Sequence, residues 1–173
     1  MKYFLSKKKK EQYQEKQLLT GFTIIELMIT IFVILVGVAG VLVVIQHSIR
    51  AIAVSSDRFI AAYLAKEGME IVRNIRDRNF LRGDLWDTGL SHGNFMADFD
   101  DPELNSYVVN TPLRINEDGF FNYGTGTPTR FKRKISLTHL TGPERISSVV
   151  KVYWIDRGIT HNVEVKEVLY NWR

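Results

Sequence analysis

Three patterns of hydrophobic and polar positions succeed one another along the chain. From Leu27 to Ile45, nineteen residues (LMITIFVILVGVAGVLVVI) carry no charge, and Thr30 is the one polar interruption. A helix of that length spans about 29 Å, close to the hydrocarbon thickness of a bilayer. A helix apolar on every side must be buried in protein or in lipid, and the length predicts a membrane span. From Gln46 to about Phe80 the pattern becomes amphipathic. Ile60, Leu64, Gly68, Ile71, Val72 and Ile75 recur at three- and four-residue steps, while Arg58, Lys66, Glu70, Arg73 and Asp77 lie off that stripe. Lys66 with Glu70, and Arg73 with Asp77, are spaced to interact along such a helix, each pair contributing a few tenths of a kcal/mol. No proline interrupts the stretch, because Pro102, Pro112, Pro128 and Pro143 all lie beyond it. Unbroken from Phe22 to Phe80 the helix would be roughly 90 Å long, too long for one compact domain to cover. Its first half therefore packs on lipid or other subunits, and its second half on a sheet. Gly37 and Gly40 are its weakest points, each costing about 1 kcal/mol against alanine.

Residues 81 to 105 lose all periodicity and read as a long connecting loop. Beyond it Ser106–Asn110, Arg130–Leu140, Ile146–Asp156 and Thr160–Tyr170 are rich in Val, Ile, Thr, Tyr and Trp and read as strands. Thr141-Gly142-Pro143 and Arg157-Gly158 break the last three, and such short connections predict antiparallel neighbours. Phe131, Ile135 and Leu137 share one parity, and Val150, Val152 and Trp154 share another, giving each strand an apolar face. The expected fold is α+β: a long N-terminal helix, membrane-spanning in its first half, packed on a C-terminal antiparallel β-sheet. The organisation is a basic leader (1–21), a hydrophobic helix (22–45), its amphipathic continuation (46–80), the loop (81–105) and the sheet region (106–173).

Composition sharpens this picture. The 173 residues are 45% hydrophobic and 24% charged, with no cysteine, which excludes a disulfide scaffold and a disordered chain. Of the 23 basic and 19 acidic residues, six lysines and two glutamates fall in residues 1–21, so that segment accounts for the whole net charge of +4. Residues 22–173 hold 17 of each sign, and a neutral domain argues against a nucleic-acid partner. The lysines before the apolar run, against Arg50 and Arg58 after it, put the N-terminus in the cytoplasm. A cleaved secretory signal is the competing reading. Its apolar region is usually about 7–15 residues, shorter than this one, although Ala51-Ile52-Ala53 fits a small-x-small cleavage site.

Candidate chemistry is sparse. Glu26 stands at the entry of the apolar run, where a carboxylate is costly without a partner. Thr23-Ile24-Ile25-Glu26 also matches a capping box, and Glu26 would suit the positive end of the helix dipole. In the loop, Asp84, Asp87, Asp98, Asp100, Asp101 and Glu103 place six carboxylates within twenty residues. Oxygen ligands suit calcium, and Asp98, Asp100 and Asp101 are the candidates, although the spacing is not that of an EF-hand and a solvated acidic loop explains them as well. No other cofactor is expected. His47, His92, His139 and His161 match no metal spacing, and no phosphate-binding loop or nucleophile elbow occurs, so the chain reads as non-catalytic.

Gly21-Phe22-Thr23-Ile24-Ile25-Glu26, after a lysine-rich leader and before about twenty apolar residues, resembles the N-terminus of type IV prepilins and type II secretion pseudopilins. The resemblance covers about residues 6 to 45. It implies a pilin-like fold, cleavage after Gly21 by a membrane-embedded prepilin peptidase, and N-methylation of Phe22. It also implies that Glu26 pairs with the N-terminal amine of a neighbouring subunit during assembly. The implied partners are other pilin subunits, the peptidase, an inner-membrane assembly platform and the bilayer. Ala62–Phe80 and the ending Leu169-Tyr170-Asn171-Trp172-Arg173 further resemble minor pilins and minor pseudopilins. Two features depart from the family: many major pilins close the C-terminal region with a disulfide, and pilin helices often melt locally near a proline. C-terminal anchoring must then come from packing or from neighbours. The expectation is a structural subunit, of the minor kind, of a pilus or pseudopilus. Beside it stand a permanently anchored single-pass protein whose outward β domain binds a ligand or surface, and a soluble domain released after Ala53.

Overall fold

The structure, a computed structural model, describes residues 21–141 and 144–172. The leader before Gly21, the breaker residues Gly142 and Pro143, and Arg173 lie outside the described residues. Helix α1 runs from Ile24 to Arg82 without interruption at Gly37 or Gly40. Its ends are set by local chemistry. At the start the Glu26 N–H donates to Thr23 Oγ1 at 3.3 Å, which satisfies one of the unpaired first-turn donors. At the end Gly83 adopts φ +78°, and the Asp84 N–H donates back to the Asn79 carbonyl at 3.0 Å, a Schellman closure. The chain forms two units, one ending at Arg50 and the other comprising residues 51–173.

In the second unit the strands are β1 (Gly93–Met96), β2 (Asn105–Ser106), β3 (Arg114–Ile115), β4 (Phe121–Asn122), β5 (Thr127–Pro128), β6 (Lys132–His139), β7 (Arg145–Asp156) and β8 (Ile159–Tyr170). They form an antiparallel five-stranded sheet, β2-β1-β6-β7-β8, and a small antiparallel sheet, β4-β3-β5. The β7–β8 hairpin turns on Arg157 (φ 49°) and Gly158 (φ 80°) between the paired Asp156 and Ile159, the two-residue geometry whose twist matches the strands. Pro128, which has no N–H to donate, sits on the edge strand β5.

The expected helix stripe is the buried one. Leu64, Gly68, Ile71, Val72 and Ile75 are buried, and they face Phe131, Ile135, Leu137, Val150, Val152 and Trp154 in a single core. Burying side chains of this size stabilises the fold by about 1.5–3 kcal/mol each. Gly68 marks the closest approach of helix to sheet: a Cβ there would lie 2.9 Å from Val150 Cγ1 and 3.0 Å from Arg133 Cδ. At the C-terminus, Trp172 packs on Phe80 with ring centroids 4.8 Å apart. The Asn171 N–H donates to the Glu144 carbonyl at 3.3 Å, so packing and a backbone hydrogen bond anchor this end of the described chain.

Three expectations need correction. Residues 81–105 are not all loop, because β1 enters the large sheet between β2 and β6, with Phe95 packed against the core. Gly93 and Asn94 are poor strand formers, and it is long-range pairing that makes them extended. The strand expected over Ser106–Asn110 is confined to Asn105–Ser106, because the chain turns at Asn110, which adopts φ 65°, a conformation asparagine tolerates. The ion pairs along the helix also differ. Arg73 binds Glu70 and, from Nε, both carboxylate oxygens of Glu167 on β8 at 2.9 and 3.0 Å, while Asp77 pairs with Arg76. A guanidinium is matched better by a bidentate carboxylate than by a single contact along its own helix.

Candidate functional site

From Ile24 to Arg50 every residue of α1 is exposed, and the segment is apolar. By length and composition it can cross a membrane. Phe22, just before it, is 79% exposed, and Gly21 has nothing within 4 Å of where a Cβ would lie. The two hydroxyls within the segment cause no break, since Thr30 and Ser48 donate to the carbonyls of Glu26 and Val44 at 2.7 and 3.0 Å. Their polarity is absorbed by the helix itself.

Glu26 is different. Only half of the anticipated capping box forms: its N–H donates to Thr23, but its carboxylate has no hydrogen bond or ion pair among the described residues. A carboxylate in the first turn gains from the helix dipole by about 0.3–1 kcal/mol at an exposed site. That is small beside the cost of carrying it into an apolar environment unpaired. The structure thus places Gly21, Phe22 and Glu26 together at the entry of an uncovered apolar helix.

The candidate carboxylates of the acidic loop are engaged in local hydrogen bonds or exposed. Asp98 accepts from the Tyr123 N–H at 2.8 Å; Asp101 accepts from the Asp98 N–H at 2.8 Å and from Asn105 Nδ2 at 2.9 Å; Asp100 is exposed. Among the described residues no three His, Asp or Glu side chains converge as metal ligands. Asp98 and Asp101 instead tie turns together. Burial raises the Asp98 pKa above the ordinary carboxylate range, against the lowering effect of the Tyr123 N–H. The histidines are equally dispersed. His139 Nε2 contacts the Leu90 carbonyl at 2.9 Å, His161 stacks on Trp154, and His47 and His92 are exposed.

One residue missed by sequence reasoning organises the domain interior. Arg133, on β6, is fully buried; it pairs with Glu67 of α1 at 2.7 Å and donates to the Leu64 and Ala97 carbonyls at 3.2 and 2.6 Å. The signal was present, because Arg133 shares the parity of Phe131, Ile135 and Leu137. A concavity of about 610 Å³ lies at the C-terminal end of α1, where Asp84, Asp87 and Glu144 stand with Trp86, His139 and Arg145. Its carboxylates and histidine form no metal cluster.

No family model, curated protein or solved structure matches this chain.

Proposed function

We propose that this chain is a structural subunit, of the minor kind, of a type IV pilus or type II secretion pseudopilus. It enters the inner membrane as a prepilin with its N-terminus in the cytoplasm, is cleaved after Gly21, is N-methylated at Phe22, and assembles through α1. Its partners are other pilin subunits, the prepilin peptidase, an assembly platform and the bilayer, and its role is non-catalytic. The observation that carries this reading is the Glu26 carboxylate, without a partner among the described residues, in the first turn of a helix half in which no residue is buried. Lipid or the helices of neighbouring subunits would cover that surface. Cleavage would create a positive amine on Phe22, and the amine of an adjacent subunit would supply the charge Glu26 lacks. Two opposite charges in a low-dielectric bundle are tolerated only as a pair, which makes the contact a register check.

The alternative is a permanently anchored single-pass protein with an extracytoplasmic β domain, in which Glu26 serves as a cap. The Thr23 contact fits that role, but the missing return bond from the Glu26 carboxylate favours assembly. Intact mass and N-terminal sequencing of the protein from membranes of its native host separate the two. A start at Phe22 carrying an extra methyl, about 14 Da, is expected. An unprocessed N-terminus, in a sample whose prepilin peptidase is active, would refute the proposal.

A further inference from the structure

The alternation that buries Arg133 also turns Lys132 and Lys134 of β6 to the face of the sheet away from α1. There the register sets Lys134 directly opposite Lys151, Lys132 opposite Tyr153, and Tyr153 opposite Asn162. A groove of about 310 Å³ opens among Tyr107, Lys134, Lys151, Tyr153, Thr160 and Asn162. Each of these six side chains carries a hydrogen-bond donor. Neither Lys134 nor Lys151 has a hydrogen bond or ion pair among the described residues, and Glu164, opposite Lys151 in the register, does not pair with it. Like charges directly opposite on a sheet destabilise it, and an anion seated between them would relieve that. The Tyr107 and Tyr153 hydroxyls lie 2.8 Å apart, so one phenol hydrogen is used within the pair and the other is free to donate outward.

We propose that this groove binds a phosphate group, either free or as the phosphodiester of a polymer lying across the sheet. Phosphate fits better than carboxylate because it offers more acceptor oxygens to the donors that converge here. Ammonium groups act as point charges and suit a tetrahedral phosphate anion, which needs no planar fork to hold it. Burial and the Tyr107 hydrogen bond push the Tyr153 pKa up to about 12, which keeps that phenol protonated at neutral pH. Lys132, 5.8 Å from the centre of the Tyr153 ring, and Lys166, opposite Val149 on the neighbouring strand, extend the positive face beyond the groove. The site belongs to the second unit and holds whether the chain enters a filament or stays anchored.

The test is thermal melting of the full chain in detergent micelles, titrated with inorganic phosphate against chloride at matched ionic strength. Phosphate is expected to raise Tm saturably by about 2–4 °C. The rise should persist in Lys66→Gln, whose lysine is exposed on α1, and vanish in Lys134→Gln/Lys151→Gln. Without phosphate that double variant should melt no lower than the parent, since it removes a repulsion. Phosphorus NMR line broadening of the same samples reads binding directly. No phosphate-specific shift or broadening, or an effect that survives in the double variant, overturns the proposal. A labelled single-stranded oligonucleotide distinguishes the source. Binding that is lost in the double variant and weakened by Lys132→Gln or Lys166→Gln assigns a polymer, whereas binding of inorganic phosphate alone assigns a free phosphate or monoester.

Discussion

Removing Glu67 should expose how the domain tolerates a guanidinium in its core. Arg133 is fully buried, and among the described residues Glu67 Oε1 is the one carboxylate paired with it, at 2.7 Å; its other bonds go to the Leu64 and Ala97 carbonyls, and its Nε has no partner there. Breaking a buried pair by deleting one member usually costs about 3–5 kcal/mol, because the remaining charge stays desolvated. Glu67 is 22% exposed, so water can reach part of the space that Glu67→Ala vacates, which sets the expectation near the lower end, about 3 kcal/mol. Arg133→Met keeps the aliphatic stem but leaves the Ala97 carbonyl unpaired, at a cost of about 1–3 kcal/mol. In Glu67→Ala/Arg133→Met no charge is stranded, so the double variant should be more stable than Glu67→Ala alone. The coupling should be at least about 2 kcal/mol, within the range of contacting pairs. Urea unfolding in detergent micelles, followed by the fluorescence of the buried Trp154 and Trp86, would measure all four corners of the cycle. A loss below about 1 kcal/mol for Glu67→Ala, or simple additivity in the double variant, would refute the reasoning.

Other expectations rest on single positions. Gly68→Ala should destabilise by about 1–2 kcal/mol in the same unfolding assay, because overpacking against Val150 and Arg133 outweighs the gain in helix propensity. Gly37→Ala and Gly40→Ala meet nothing within 4 Å and should leave that assay unchanged; a defect confined to filament incorporation would place both glycines at subunit contacts. Glu26→Ala should insert and be cleaved but assemble poorly, and normal incorporation of the mutant into filaments would remove the pairing role. The Tyr153 pKa lies above its ordinary value, so the folded state holds the proton more tightly and stability should fall as pH rises from about 10 to about 12. Tyr153→Phe should flatten that limb of a stability–pH curve, and an unchanged slope would count against the assignment. Calcium should leave Tm unchanged, since Asp98 and Asp101 already accept backbone N–H groups; a saturable rise lost in Asp101→Asn would refute that expectation.

Long, strongly periodic segments were legible from residue order. The apolar run, the stripe through Leu64, Gly68, Val72 and Ile75, and strands β6, β7 and β8 came out within one or two residues of their expected limits. Each rests on side-chain spacing within a single element, and that spacing survives folding unchanged. The Gly21–Glu26 motif was legible for the same reason, being contiguous. Strand β1 and the small β4-β3-β5 sheet were not, because strands of two to four residues have little periodicity and are held extended by partners distant in sequence.

By itself, then, the sequence determined the uncovered apolar helix, its lone carboxylate and an α+β layout, because these depend on local periodicity and on residues adjacent in the chain. The tertiary structure decided which charges meet. It seated Arg133 on Glu67 inside the core, turned Arg73 from the expected Asp77 to Glu167, and brought Lys134 and Lys151 together on one face of a domain whose net charge is zero. Net charge is a sum that ignores position. Strand register and helix docking set the distances, and electrostatic energies depend on distance and burial.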